Sequence, residues 1–315
     1  MKKRISEIKI GEIINNFFVV KIKKGIQPYA NGFSFTLLLS DETGKTVNYK
    51  YWGGTSEEKI KLIYDSIKPD SIVHVQGKAG EYNNKTQITT NEPYTIKVVH
   101  NGLEFIKPAK KDLEKMWNEL LNTISKVENP EIKKLLQKTF LNQEFAEKFK
   151  KHPGAIEIHH NWIGGLLQHT LEVLNYCKMA WHQHPELNKD LLIAGALLHD
   201  IGKLEELEVT SRIKGSKKGQ LISHLVLSAI KVNEEMRELN DDLKNKILHM
   251  IVSHHGKPEY GSPKPPMFPE ALVVYYADEM SSKTSEMIEF IKDAKQDTED
   301  DFMYSRRHNK NVLLK

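Results

Sequence analysis

One stretch decides the fold of the second half of the chain: Ala194-Gly-Ala-Leu-Leu-His-Asp-Ile-Gly-Lys203. Its apolar run is typical of a buried helix, and the run ends in the adjacent residues His199 and Asp200. Burying a histidine and an aspartate side by side is costly unless a partner compensates them. A divalent cation is the simplest such partner, so this stretch predicts a helical scaffold that surrounds a metal site.

Other histidines and aspartates recur at intervals of about 25 to 30 residues on the predicted helices around this stretch. Each lies on or at the edge of an apolar stripe; they are His169, His199 with Asp200, His224, His254 and Asp278. A single histidine in such a position is usually a satisfied core residue. When five helices each direct a histidine or an aspartate inward, these side chains can instead form a common site, as in helical-bundle metal proteins. Ligation by nitrogen and oxygen alone suits Mn²⁺, Fe²⁺, Co²⁺, Zn²⁺ or Mg²⁺.

The composition restricts the class of protein. A length of 315 residues suggests two domains, and the single cysteine excludes a disulfide framework. No stretch resembles a membrane span or a signal peptide, so we expect a cytoplasmic protein. Residues 1–100 hold 15 Lys and Arg against 10 Asp and Glu, whereas the remainder holds 31 against 32. This asymmetry favours a polyanion-binding first module and chemistry in the second, although ordinary surface charge explains it equally well.

The first module alternates apolar and polar residues in short segments. Strands are expected over Ile13–Ile22, Phe33–Ser40, Lys45–Trp52, Ser71–Ala79 and Thr86–Thr90, with a helix over Glu57–Ser66. Three strands, a helix and two strands predict a five-stranded OB-fold β-barrel, which binds oligonucleotides.

Aromatic residues are interleaved with basic ones in this module, which suits stacking of bases along a strand. The candidates for contact with the nucleic acid are Tyr49, Tyr51, Trp52 and Tyr82. Strand alternation places Tyr49 and Tyr51 on one face and Lys50 and Trp52 on the other, so one pair must face the core. The predicted partner is a single-stranded nucleic acid.

A helical connector is expected between the two modules. It has no evident chemistry, and we expect it to pack on the catalytic helices or to form a subunit interface of a homo-oligomer. The predicted organisation is an OB-fold domain at 1–100, a connector at 101–155 and an all-α helical domain at 156–315.

Several local strings resemble a known family. They are Gly164-Gly-Leu-Leu-Gln-His169-Thr, Leu197-Leu-His-Asp-Ile-Gly-Lys203, Gly219-Gln-Leu-Ile-Ser-His224, Ser253-His-His-Gly256 and Tyr276-Ala-Asp278. This pattern resembles the HD-domain metal-dependent phosphohydrolases. With the preceding OB-like module, nearly the whole chain is similar to the YhaM-type 3′–5′ exoribonucleases. One departure is Ser223, where the family pattern often has glycine.

The resemblance implies a metal-dependent phosphodiesterase that shortens single-stranded RNA, or also single-stranded DNA, from the 3′ end to 5′-mononucleotides. It implies two divalent ions, with Mn²⁺ expected and Co²⁺, Fe²⁺, Mg²⁺ or Zn²⁺ as alternatives. The first ion is assigned to His169, His199, Asp200 and Asp278. Asp200 is expected to bridge to a second ion held by His224 and His254, with His255 as an alternative ligand or a substrate contact.

Other residues near these strings are candidates for contact with the phosphates. Asp200 and Lys203 are the expected catalytic residues; without a substrate role, Lys203 is a helix-end lysine. His159, His160, His255 and Arg212 are candidate substrate contacts, and the basic loop around Arg212 is equally compatible with a solvated surface.

Two alternatives to the exoribonuclease remain open. The HD-type domain could hydrolyse free nucleotides or cyclic dinucleotides, although such an enzyme gains nothing from a strand-binding module. The chain could also be a non-catalytic nucleic-acid-binding protein, although every expected ligand residue is present.

Overall fold

The computed structural model describes residues 4–41, 44–83, 85–99, 106, 109–156, 160–210, 213–298 and 300–315. Two compact units emerge from the contacts: residues 1–106 with 209–212, and residues 107–208 with 213–315. Each unit has its own hydrophobic cluster. The boundaries of the three predicted segments stay a prediction.

Among its described residues, the first unit is a six-stranded sheet with one α-helix and a short 3-10 helix at Ile5–Glu7. Its elements are β1 (Ile13–Tyr29), β2 (Gly32–Ser40), β3 (Thr46–Trp52), α1 (Glu57–Ser66), β4 (Ile72–Tyr82), β5 (Lys85–Thr90) and β6 (Ile96–Val99). The strand order is β1-β2-β3-β5-β4-β6, and β1 also pairs with β4, so the first five strands form a closed ring of pairings. The β3–β5 pair is parallel and the others are antiparallel. The predicted OB-fold class is confirmed, with β6 as an added strand.

Strand alternation explains which side chains of the ring are buried. Along β3, Val47, Tyr49 and Tyr51 face the core, whereas Lys50 and Trp52 face outward. This is the period of two expected of a strand with one face on a core. The β1–β2 connection requires Gly32, because its φ is +140° and a Cβ there would lie 2.1 Å from a neighbouring carbonyl oxygen.

The second unit is mainly helical. Its elements are α2 (Leu113–Ser125), α3 (Pro130–Phe140), α4 (Gln143–Lys151), α5 (Gly165–Gln183), α6 (Lys189–Leu198), α7 (Lys203–Glu206), β7 (Leu207–Val209), β8 (Ile213–Gly215), α8 (Lys217–Ile222), α9 (His224–Glu235), α10 (Asp241–Ser253), α11 (Pro269–Asp297), β9 (Phe302–Ser305) and β10 (Lys310–Leu313). The helical class is confirmed, and two short hairpins, β7–β8 and β9–β10, are added to it. No described helix combines the length and the apolar character that a membrane span requires.

Side-chain caps define where the helices begin. The side chains that accept backbone N–H groups at N-termini belong to Ser56, Asp112, Asn129, Asn142, Asn188, Ser216 and Asn240. Such caps satisfy N–H groups that have no partner within the helix. The connector helices α2–α4 share one hydrophobic cluster with α5, α6, α10 and α11, so they pack on the helices that carry the candidate ligands.

Helix α6 is the centre of the second unit. Its residues from Asp190 to Leu198 are all buried, and it contacts α3, α5, α10 and α11. A helix that is apolar on all sides is stable only inside a domain. The chain leaves α6 at His199 and Asp200, which places this pair at the middle of the helical packing.

Candidate metal centre

Five segments of the helical unit bring the predicted ligands together. His169 lies within α5, His199 and Asp200 follow α6, His224 begins α9, His254 and His255 follow α10, and Asp278 lies within α11. Of this set only His224 and His255 are partly exposed; the others are buried. The spacing along the chain thus becomes a compact cluster in space.

Asp200 divides its two carboxylate oxygens between two sets of histidines. Oδ2 lies 3.3 Å from Nε2 of both His169 and His199. Oδ1 lies 3.5 Å from Nε2 of His224 and 3.7 Å from Nε2 of His254. A carboxylate in this position can contact one cation through each oxygen.

The ligand atoms form two groups on either side of Asp200. One group is His169, His199 and Asp278; the other is His224, His254 and His255. Within each group the possible ligand atoms lie within 4.8 Å of one another. The sequence left open which of His254 and His255 is a ligand. Both belong to the second group, so the geometry allows either or both to bind the ion.

The histidines are oriented by acceptors at their outer nitrogens. In each of the five histidines of the cluster, Nδ1 lies 2.6–3.0 Å from a protein acceptor, while Nε2 faces the other ligand atoms. The acceptors are the carbonyl oxygens of Ala196, Ile251 and Tyr260 for His199, His254 and His255, a carboxylate oxygen of Glu206 for His224, and the hydroxyl of Ser281 for His169. Assigning the proton of each neutral ring to Nδ1 leaves the Nε2 lone pair available as a ligand.

The inner atoms of the cluster suit a cation. Nε2 of His169 lies 3.3 Å from Nε2 of His199, and Nε2 of His224 lies 3.2 Å from Nε2 of His255. At these distances one ring of each pair can donate a proton from Nε2 to the other, and a bound cation would take the place of that proton. Nε2 of His254 and Oδ1 of Asp200 are also buried without a hydrogen-bond partner. Buried polar atoms of this kind require an explanation, and a divalent metal site fits all of them.

The protonation states match this chemistry. Burial would raise the pKa of the Asp200 carboxyl, but the positive charge of Lys203 and the neighbouring His199 and His169 hold that pKa well below its usual range. Burial lowers the pKa of His254, which keeps its ring neutral. Burial also disfavours the charged form of His169, but hydrogen bonds to Asp200 and Asp278 raise its pKa to about 9. An ion would displace that proton when it binds.

Lys203 lies against the cluster. Its Nζ is 2.7 Å from Oδ2 of Asp200, and its side chain is 12% exposed. Burial would lower the pKa of Lys203, but Asp200 and Asp278 raise it, so the ammonium group stays charged. A cavity of about 800 Å³ opens beside the cluster. Its lining includes Lys203, Glu206, His224, His255, Asp278, Tyr260 and Arg307.

Some predicted substrate contacts have other positions. His160 is fully buried, and its Nε2 lies 3.0 Å from a carboxylate oxygen of Glu172, so the prediction that it touches the substrate is wrong. His159 and Arg212 lie outside the described residues.

In the first unit the tyrosines of β3 are not available for stacking. Tyr49 is fully buried and Tyr51 is 8% exposed, with its ring 4.9 Å from that of Phe35. The prediction that they stack on bases is therefore wrong, because the closed ring directs their face of β3 into the core. Trp52 is partly exposed and Tyr82 is 62% exposed, so both stay candidates.

The outer face of the strand ring carries a row of lysines that the sequence pattern did not reveal. Lys24 is paired with Thr36, Thr36 with Lys50, Lys50 with Thr89, and Thr89 with Lys78. We call Lys24, Lys50 and Lys78 the lysine row. Lys50 also lies over the ring of Trp52, at 4.9 Å from the centroid. The row places positive charge beside an exposed aromatic ring, an arrangement that suits a single-stranded nucleic acid.

Three further residues around the histidines were also missed: Glu172, Glu206 and Ser281. They are ordinary polar residues in the sequence. Glu172 and Ser281 each follow a predicted ligand by three residues on the same helix, so each lies on the same helix face as that ligand. This spacing is the signal by which the sequence could have identified them.

Ser223 separates α8 from α9 and sets the position of His224. A helix that continued from α8 into α9 would need a helical conformation here, but Ser223 has φ +66° and ψ +157°. This conformation is almost restricted to glycine and costs a non-glycine residue about 1–3 kcal/mol.

We therefore expect Ser223→Gly to raise the free energy of unfolding by about 1 kcal/mol, since relief of strain exceeds the entropy that glycine adds to the unfolded chain. Urea unfolding measures this change. Ser216→Gly is the matched control: Ser216 has an ordinary φ of −71° and caps α8, so its replacement should not stabilise the protein. Equal effects of the two substitutions would contradict the strain at Ser223.

The chain is similar to known proteins. The HD domain family matches residues 166–283. The 3′–5′ exoribonuclease YhaM of Geobacillus sp. (strain WCH70) is 32% identical over 292 residues, which cover 90% of this chain and 86% of that protein. The protein of the same name from Bacillus subtilis (strain 168) is 31% identical over 293 residues, which cover 91% and 90%.

A solved structure also resembles the first unit weakly. The second OB-fold domain of replication protein A from Methanococcus maripaludis has 18% identity and a TM-score of 0.26, and the match covers 33% of this chain and 99% of that one. The topology of the first unit therefore rests on its own strand pairings. The curated relatives match over nearly their full length, and the chain belongs to the family of the YhaM 3′–5′ exoribonucleases.

Proposed function

We propose that this chain is a metal-dependent 3′–5′ exoribonuclease that hydrolyses single-stranded RNA to 5′-mononucleotides. The observation that carries the proposal is the placement of Asp200 between two histidine groups, one at each carboxylate oxygen. The names of the relatives support the polarity and the substrate. Each cycle would break the bond between phosphorus and the 3′ oxygen, add the oxygen of water to phosphorus, and leave the proton on the 3′ oxygen of the shortened strand.

We infer two divalent ions, with Mn²⁺ as the expected metal. His169, His199, Asp200 and Asp278 would hold one, and Asp200, His224, His254 and His255 the other. Bound divalent ions supply a water-derived nucleophile near neutral pH and neutralise negative charge on the phosphate. A site of nitrogen and oxygen donors without thiolate supports Mn²⁺, although the same donors also accept other first-row metals.

The protein side chains have separate roles in this proposal. Lys203 supplies a buried positive charge beside Asp200 and toward the cavity, where a phosphate can be stabilised. The cavity of about 800 Å³ has room for a nucleotide at the end of a strand. Tyr260 lines the same cavity and is 55% exposed, so its ring is available for a base.

Binding of the strand is assigned to the lysine row together with Trp52 and Tyr82. Lys24 and Lys78 are exposed and Lys50 is partly exposed, so their charges can reach phosphates. Contacts of this kind do not select a base sequence, which suits an enzyme that degrades a strand one nucleotide after another.

The function is tested by incubating the protein with Mn²⁺ and a 5′-labelled single-stranded RNA. We expect a ladder that shortens from the 3′ end, together with released 5′-mononucleotides. A matched single-stranded DNA measures the preference between RNA and DNA. Intact RNA with hydrolysed free nucleotides would favour a nucleotide phosphohydrolase, and RNA binding without hydrolysis in any divalent metal would favour a non-catalytic protein; either result would overturn the proposal.

The lysine row should account for much of the salt dependence of RNA binding. Replacing Lys24, Lys50 and Lys78 by Gln removes about three phosphate contacts, so the slope of log K against log salt should become shallower by about 2. Fluorescence anisotropy across a salt series measures the slope. Lys59, Lys61 and Lys68 are exposed lysines of the same unit, and their triple replacement is the control with equal net charge. An equal loss in the control would contradict a specific role for the row.

The setting of the enzyme is also proposed. The single cysteine is typical of a chain that needs no disulfides, which supports a cytoplasmic protein. We infer a homo-oligomer, supported by a stripe on α11 where Leu272, Tyr276 and Met280 are exposed at intervals of four residues.

A further inference from the structure

Two helices carry a polar residue three positions after a predicted ligand. On α5, Glu172 follows His169, and on α11, Ser281 follows Asp278. A spacing of three places each pair on one face of its helix, and α5 packs against α11. The two pairs therefore face each other across the helix interface.

Ser281 connects the histidine to the glutamate. Its hydroxyl donates to Oε2 of Glu172 at 2.8 Å. With that proton directed away, Oγ accepts from Nδ1 of His169 at 3.0 Å. Ser281 is 2% exposed, so water has little access to this connection. The chain of bonds assigns the proton of the His169 ring to Nδ1 and leaves Nε2 directed at Asp200 and Asp278.

Glu172 is held in place by further donors. Nε2 of His160 lies 3.0 Å from Oε2, and Nε2 of Gln168 donates to Oε1 at 2.9 Å. Gln168 in turn accepts from Nε1 of Trp162 at 3.2 Å. A carboxylate with donors on both oxygens has a defined orientation, so it can fix the hydroxyl of Ser281 rather than follow it.

We propose that Glu172 and Ser281 are positioning residues that hold His169 in the tautomer and orientation needed to ligate a metal ion. His160, which the sequence suggested as a substrate contact, is part of this support. The inference rests on the proposed metal-dependent function and extends it beyond the ligands themselves. Loss of an outer hydrogen bond to a ligating histidine typically weakens metal binding about 10–100-fold.

The test is a Mn²⁺ titration of the metal-free full chain by calorimetry, in the wild type and in Ser281→Ala. We expect the dissociation constant of one ion to rise about 10–100-fold in the variant. In RNA hydrolysis, the Mn²⁺ concentration for half-maximal rate should rise equally, while kcat at saturating Mn²⁺ stays within a few-fold. Glu172→Gln, which replaces one acceptor with a donor, should shift the titration in the same direction.

Thr170→Ala is the matched control, because Thr170 is a buried hydroxyl on the same helix that donates only to the carbonyl of Leu166. It should leave Mn²⁺ affinity unchanged. Unchanged affinity in folded Ser281→Ala or Glu172→Gln, with a lower unfolding midpoint, would show a merely structural role and overturn the inference. Absence of Mn²⁺ binding in the wild type would instead overturn the proposed metal site, so the two failures are distinguishable.

Discussion

Asp200→Asn should lower the rate of RNA hydrolysis about 10³-fold and weaken the binding of both ions together. The substitution keeps the shape of the side chain but removes its charge and turns one acceptor into a donor. Each oxygen of Asp200 faces a different group of histidines. The substitution therefore affects both groups: one loses an acceptor, and the other keeps an acceptor without the negative charge. Loss of about 4 kcal/mol of transition-state stabilisation corresponds to a rate about 10³-fold lower. Rates at saturating Mn²⁺ and calorimetric titration measure both effects.

The matched control is the buried aspartate Asp190, which lies in the first turn of α6. Asp190 accepts hydrogen bonds from the backbone N–H groups of Glu128 and Asn129 at the opposite end of α6. Asp190→Asn should lower the free energy of unfolding by about 1.5–3 kcal/mol but leave Mn²⁺ binding unchanged. If Asp200→Asn retained two ions with wild-type affinity, the bridging assignment would be wrong.

Lys203→Met should lower kcat about 10²–10³-fold without weakening Mn²⁺ binding. The methionine preserves the apolar stem and removes only the ammonium group. That group lies 2.7 Å from Asp200, so in the absence of metal it competes with an ion for the same oxygen, and its removal cannot cost the ion a ligand. The measurement pairs single-turnover hydrolysis with Mn²⁺ titration.

Two comparisons complete this experiment. Lys246→Met removes an exposed lysine that pairs with Asp242 one turn away, and it should leave both quantities unchanged. Lys203→Arg restores a positive charge and should recover part of kcat. A joint loss of Mn²⁺ affinity and activity in Lys203→Met would identify Lys203 as a structural partner of Asp200 and not as a catalytic residue.

The elements that the sequence predicted correctly are those with a local cause. The strand pattern of the first unit follows from alternation, and the helices follow from apolar periodicity and from caps such as Asn188 and Asn240. The break at Ser223 has no local signal, because no local rule favours a positive φ at serine. The hairpin β9–β10 was missed because its strands are only four residues long.

The predictions that failed depended on which face of an element turns inward. Alternation left two choices for β3, and closure of the strand ring placed Tyr49 in the core. His160 looked like a substrate contact because it precedes the first ligand helix, yet packing directs it to Glu172. In both cases the orientation of the side chain is set by the free energy of burial in the folded unit. That energy depends on residues distant in the sequence and not on the neighbouring ones.

The sequence by itself determined the two kinds of module, their order and the set of metal-binding residue types at helical spacing. These depend on periodicity, capping and residue chemistry, all of which act over a few residues. Only the tertiary structure decided that Asp200 turns one oxygen to each histidine group and that Ser281 joins His169 to Glu172. These contacts join residues up to 112 positions apart, because they depend on how α5, α6 and α11 pack around one core.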